Sequence, residues 1–87
     1  MKEFNLEDVG EILQRLNDSG INAHVSWYEL DGFEYVIGNS VMGHKRSKPR
    51  NSGDPSSVIS MMAYEAALLF PNSPFAKWYE QTTVVKR

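Results

Sequence analysis

A small α+β domain is predicted by three features of the sequence. Apolar residues recur at helical spacing near the start, two alternating runs flank an Asp31-Gly32 pair, and a second apolar helical pattern follows Asp54-Pro55. Together they give the order α-β-β-α-α. The sheet is expected to be a small antiparallel hairpin or three strands, packed against two or three helices. A chain of 87 residues has room for one hydrophobic core, so residues 1–87 read as a single domain.

The first helix has a clear start. In Phe4-Asn5-Leu6-Glu7-Asp8-Val9, Asn5 can cap, Asp8 stands where a capping-box acid belongs, and Phe4 and Val9 are spaced as a hydrophobic staple. Leu6, Val9, Leu13 and Leu16 then repeat at helical spacing, and Ile12 widens the stripe. Gly20 is a C-terminal stop. These signals predict a helix over 6–18.

The next stretch alternates. Ile21, Ala23, Val25 and Trp27 fall on one face of a strand, with Asn22, His24 and Ser26 on the other; Phe33, Tyr35 and Ile37 alternate again beyond the turn. A two-residue Asp31-Gly32 turn sets Trp27 opposite Val36 and splits the large apolar residues between the faces. A three-residue turn, Leu30-Asp31-Gly32, pairs Trp27 with Tyr35 and Val25 with Ile37 and gathers them on one face. The second register is expected.

Residues 38–54 show no sustained period and read as a long loop, basic over 39–53, with a short extension of the second strand through Val41 as an option. Asp54-Pro55, a capping acid followed by proline, opens the second helix. Val58, Met62, Ala66 and Leu69 form its apolar stripe, with Ile59, Ala63 and Phe70 beside them, and Pro71 ends it. Ser73-Pro74 opens a short third helix containing Phe75, Trp78 and Tyr79. Residues 82–85 are β-prone and read either as an edge strand or as a frayed tail. A lone hairpin leaves open edges, which favours a homodimer.

Composition narrows the function classes. Hydrophobic residues make up 41% of the chain, which argues against disorder. There is no cysteine, so neither disulfides nor thiolate metal sites hold the fold. The N-terminal segment carries acids where a signal peptide needs basic and apolar regions, and no apolar run approaches the roughly 20 residues of a membrane span. A cytoplasmic protein is expected.

Catalytic chemistry finds little support. Gly38-Asn39-Ser40-Val41-Met42-Gly43 has the glycine spacing of a phosphate-binding loop, but His44 intervenes before Lys45, and Pro49 and Gly53 forbid the helix that must follow. Ser56-Ser57 stands where serines serve a helix start. His24 and His44 have no neighbouring acid, and Glu7-Asp8 suit a helix N-terminus better than a metal. No catalytic, cofactor-binding or metal-ligating residue is assigned, and an enzyme is not expected.

One segment stands out. Residues 35–53 contain no Asp or Glu, in a chain with 11 acids, yet they hold His44, Lys45, Arg46, Lys48 and Arg50. Three readings stay open. The segment could meet an acidic surface on a protein partner, contact nucleic-acid phosphates beside His24, Ser26 and Tyr28, or simply solubilise a loop. The candidate partner-binding residues are His44, Lys45, Arg46, Lys48, Arg50 and Tyr28. The interval has one aromatic, Tyr35, and that belongs to the strand, so no ring lies within the basic run to stack a base.

The succession of helix, aromatic hairpin, polar loop and the helix SSVISMMAYEAALLF resembles small accessory proteins of tailed phages, in particular the "phage ABA sandwich" type. The resemblance spans residues 4–70 in element order, and Ala63-Tyr64-Glu65-Ala66-Ala67-Leu68 carries it in sequence. It implies a viral protein without catalytic residues that acts by binding, as an inhibitor or modulator of a host enzyme or defence component. The element order is also similar to that of double-stranded RNA-binding domains. Those have a clear third strand, and basic residues where this chain has Asp54.

Overall fold

The computed structural model describes residues 2–28, 32–39, 45–46, 50–52 and 54–82. A single 3-10 turn, Leu6–Asp8, leads directly into α1, Val9–Asp18, so the two together fill the expected range of 6–18. The Asp8 carboxylate accepts from the Asn5 backbone N–H at 2.8 Å, and the Asp8 N–H donates to the Asn5 carbonyl at 2.9 Å. The helix stops where glycine permits it. Gly20 has φ +76°, its N–H reaches the Asn17 carbonyl at 2.9 Å, and the Ile21 N–H reaches Leu16 at the same distance. This is a Schellman closure, sealed by the burial of both Leu16 and Ile21.

The strands that follow are β1, Asn22–Tyr28, and β2, Gly32–Asn39, which pair antiparallel. Val25 lies opposite Tyr35 and Trp27 opposite Phe33, rather than Trp27 opposite Tyr35 as the three-residue turn at Leu30–Gly32 required. Residues 29–31 instead separate the paired Tyr28 and Gly32. The shift is two residues, which leaves Ala23, Val25, Tyr35 and Ile37 together on the expected face. Alternation specifies the face and is blind to a slide of two.

The reading of 38–54 as one long loop also needs correction. It contains β3, Lys45–Arg46, and β4, Arg50–Ser52, both antiparallel to β2 on the side away from β1. Gly38 faces Arg46 and Asn39 faces Lys45; Phe33 faces Ser52, Glu34 faces Asn51 and Tyr35 faces Arg50. Four positions separate Arg46 from Arg50, while three separate their partners Gly38 and Tyr35, so the two pieces differ in register by one residue. Such short polar pieces carry no period for the sequence to display. The sheet is three strand positions wide with β2 central.

The second helix, α2, is Pro55–Leu69, and the third, α3, is Pro74–Gln81. Asp54 caps α2 by accepting from the Ser56 N–H at 3.1 Å and the Ser57 hydroxyl at 2.9 Å. Ser73 caps α3 by accepting from the Ala76 N–H at 3.1 Å, and its hydroxyl donates to the Phe70 carbonyl at 2.7 Å. The α+β order is as expected. Residues 83–87, and with them most of the proposed C-terminal strand, lie outside the described residues.

Helices cover one face of the sheet, α1 over β1 and α2 over β2. Tyr35 and Ile37 from β2 meet Val58, Ile59, Met62, Ala63 and Ala66 from α2, with Ile12 and Leu16 from α1 and Phe75 and Tyr79 from α3 in the same cluster. Leu69, expected in the stripe, packs at its margin. Val36, on the other face of the central strand, is buried too.

One buried polar contact ties the N-terminal segment to this core. The Ser60 hydroxyl accepts from the Phe4 N–H at 2.7 Å and donates to the Phe4 carbonyl at 3.3 Å. One side chain thus satisfies both backbone groups of a residue that would otherwise lose water without compensation.

Two stability outcomes follow. Met62 is fully buried, and Met62→Asp is expected to abolish the cooperative thermal transition, because an unpaired buried carboxylate costs several kcal/mol, on the order of the whole stability of a small domain. Ser60→Ala should leave the Phe4 groups unpaired and lower stability by about 1–3 kcal/mol, read from the denaturant midpoint. An unchanged midpoint would mean that Phe4 finds another partner.

Candidate interaction surfaces

The sequence pointed to the basic segment, and the backbone shows where it runs. Lys45 and Arg46 form β3, at the Gly38–Asn39 end of β2; Arg50 opens β4, opposite Tyr35. All three therefore belong to the outer strand position beside β2. Tyr28 does not join them. It ends β1, opposite Gly32, so β2 lies between it and the basic strands. His44 and Lys48 lie outside the described residues. His24, also weighed as part of this surface, is exposed in mid-β1 opposite Val36.

A second surface is one the sequence reading missed. Tyr64 and Leu68 on α2 are exposed, Leu68 at 60%. With Ala67, Pro71, Ala76 and Tyr79 they line an open groove of about 350 Å³ between α2 and α3, to which Lys2 and Glu80 add charge. The signal was present: Leu68 falls outside the Val58–Met62–Ala66 stripe, on a helix with apolar residues on several sides.

Lys2 organises one side of that groove. Its ammonium donates to the backbone carbonyls of Tyr79, Glu80 (2.9 Å) and Thr82 (2.7 Å), and lies 5.2 Å from the centre of the Tyr79 ring. Its backbone N–H donates to the Tyr79 hydroxyl at 3.0 Å. A cation on the carbonyl end of α3 is where the helix dipole and the unpaired carbonyls both favour one. Nothing local in the sequence announces this contact, since the partners are 77 or more residues away.

On the other side of α3, Trp78 takes Arg15 and Phe4. The Arg15 guanidinium is 4.6 Å from the Trp78 ring centre, Phe4 stacks on Trp78 at 6.1 Å, and Arg15 Nε holds Glu11 at 3.0 Å. These contacts fasten α1 to α3 and leave the Arg15 charge already engaged.

Among the described residues, no group of three or more His, Asp or Glu is placed to hold a metal ion, and no helix is long and apolar enough to cross a membrane. No protein family, curated protein or solved structure matches the chain.

Lys2→Ala is expected to lower stability by about 1–2 kcal/mol, through loss of charge-assisted bonds to the end of α3. Lys2→Arg should recover part of that loss. Thermal denaturation of the pair measures it, and equal melting temperatures for Lys2→Ala and the parent would show that the carbonyls are served as well by water.

Proposed function

We propose that this chain is a non-enzymatic binding protein whose basic sheet edge engages an acidic surface on a protein partner. One observation carries the reading. The acid-free stretch 35–53 supplies the outer strand position beside β2, where Lys45, Arg46 and Arg50 follow one another along a backbone anchored by pairing. Charge held on a strand is more orderly than charge on a tether, and it steers an acidic partner during encounter. The resemblance to phage accessory proteins extends the proposal to a phage-encoded inhibitor or modulator of a host protein, working in the cytoplasm of the host.

A second reading has a specific observation behind it. β3 and β4 fill the third strand position, which brings the element order nearer to that of double-stranded RNA-binding domains. Against it, α2 opens with Asp54-Pro55-Ser56-Ser57, an acid and no base, where those domains place phosphate-binding side chains. The acidic-protein reading is therefore preferred.

Replacing Lys45, Arg46, Lys48 and Arg50 together with alanine is expected to change folding stability by less than about 1 kcal/mol. Affinity capture from host lysate with the parent chain should recover a protein partner that resists nuclease, and association of that partner with the quadruple variant should slow. Capture that vanishes with nuclease, or falls steeply as salt rises, would favour nucleic acid. Undiminished binding by the variant would remove the basic edge from the site altogether.

A further inference from the structure

The two edges of the sheet are built on opposite plans. The β3–β4 edge is short, changes register by one residue, and carries Lys45, Arg46 and Arg50, with Pro49 between them in sequence. Broken register, proline and like charge are the devices that keep an edge strand from pairing with another chain. β1 has none of them. It runs for 7 residues, Asn22–Tyr28, in unbroken register with β2, and contains no Lys, Arg, Asp, Glu, Pro or Gly. Among the described residues no strand lies along its outer side. Ala23 and Val25, on its core-facing side, are only half-buried although they pack against the core.

We propose that β1 pairs antiparallel with β1 of a second copy, making a homodimer with one continuous sheet. Self-pairing suits this strand better than a charged partner does, because it is neutral and opposes no like charges when laid against itself. Centred on Val25, the pairing sets Asn22 against Tyr28, Ala23 against Trp27 and His24 against Ser26. Positions of the same parity meet, so the core-facing sides of both copies stay together and each half-buried Val25 gains the other as neighbour. The guarded edges then lie at the two outer margins, and growth stops at two copies instead of continuing into a filament. The proposal does not depend on what the basic edge binds.

Sedimentation velocity over a concentration series tests it. The parent chain is expected to be dimeric at tens of micromolar. His24→Lys/Ser26→Lys, which places charge on the face of β1 away from the helices, should raise the dimer dissociation constant at least about tenfold with the circular dichroism spectrum unchanged. A second variant guards against loss of folding. The chain has no cysteine, so Val25→Cys introduces a single thiol, and directly opposed residues have the separation a disulfide needs. Mild oxidation should link it as a dimer. A parent chain that stays monomeric up to millimolar concentration overturns the proposal. So does a dimer that is indifferent to the lysine pair, or one whose Val25→Cys form does not cross-link.

Discussion

The structure depends on the burial of α2. From Pro55 to Tyr64 this helix has no charged residue, and Val58, Ile59, Ser60, Met62, Ala63 and Ala66 are all buried. So broad an apolar arc cannot be covered by one sheet face. The remaining elements are arranged to enclose it: β2 beneath, α3 alongside, and the N-terminal segment laid over Ser60. Ser60 makes the last of these workable. A purely apolar helix would bury the Phe4 backbone groups without partners, and the one hydroxyl on that flank removes the penalty.

Charge is kept away from this assembly. The core draws on α1, α2, α3 and the centre of β2, whereas Lys45, Arg46 and Arg50 lie along the outer strand position. The contacts at α3 are different in kind. Lys2 and Arg15 are committed to carbonyls and to an indole ring, so their charges serve cohesion and are poorly placed for recognition.

The parts legible in the sequence were those governed by local rules. Asn5, Gly20, Asp54 and Ser73 each declare a helix boundary through chemistry confined to a few residues, and each stands at one. Alternation in β1 and β2 told which faces pack, because a one-residue slip would have turned Tyr35 and Ile37 to water. It could not tell Val25–Tyr35 pairing from Val25–Ile37, since both satisfy the same pattern. β3 and β4 were invisible for another reason: Lys45–Arg46 and Arg50–Ser52 are strands because β2 offers them hydrogen bonds, and not because of their own propensity. Of the candidate site, charge was legible and placement was not. Tyr28 was grouped with the basic residues by polarity, and strand order alone reveals β2 between them.

The clasp between Lys2 and the end of α3 has a bearing on how the molecule is made. Its two halves lie 77 to 80 residues apart, so the carbonyls of Tyr79, Glu80 and Thr82 are synthesised long after the ammonium that they hold. Phe4 finds Ser60 earlier, across 56 residues. A nascent chain can therefore form α1, the sheet and α2 while α3 is still missing, leaving the flank of α2 that α3 will cover open to water and to chaperones. With Phe4 already held on Ser60, two residues from Lys2, docking of α3 need only close the short connection from α2, so the clasp forms without the entropic cost of an 80-residue loop.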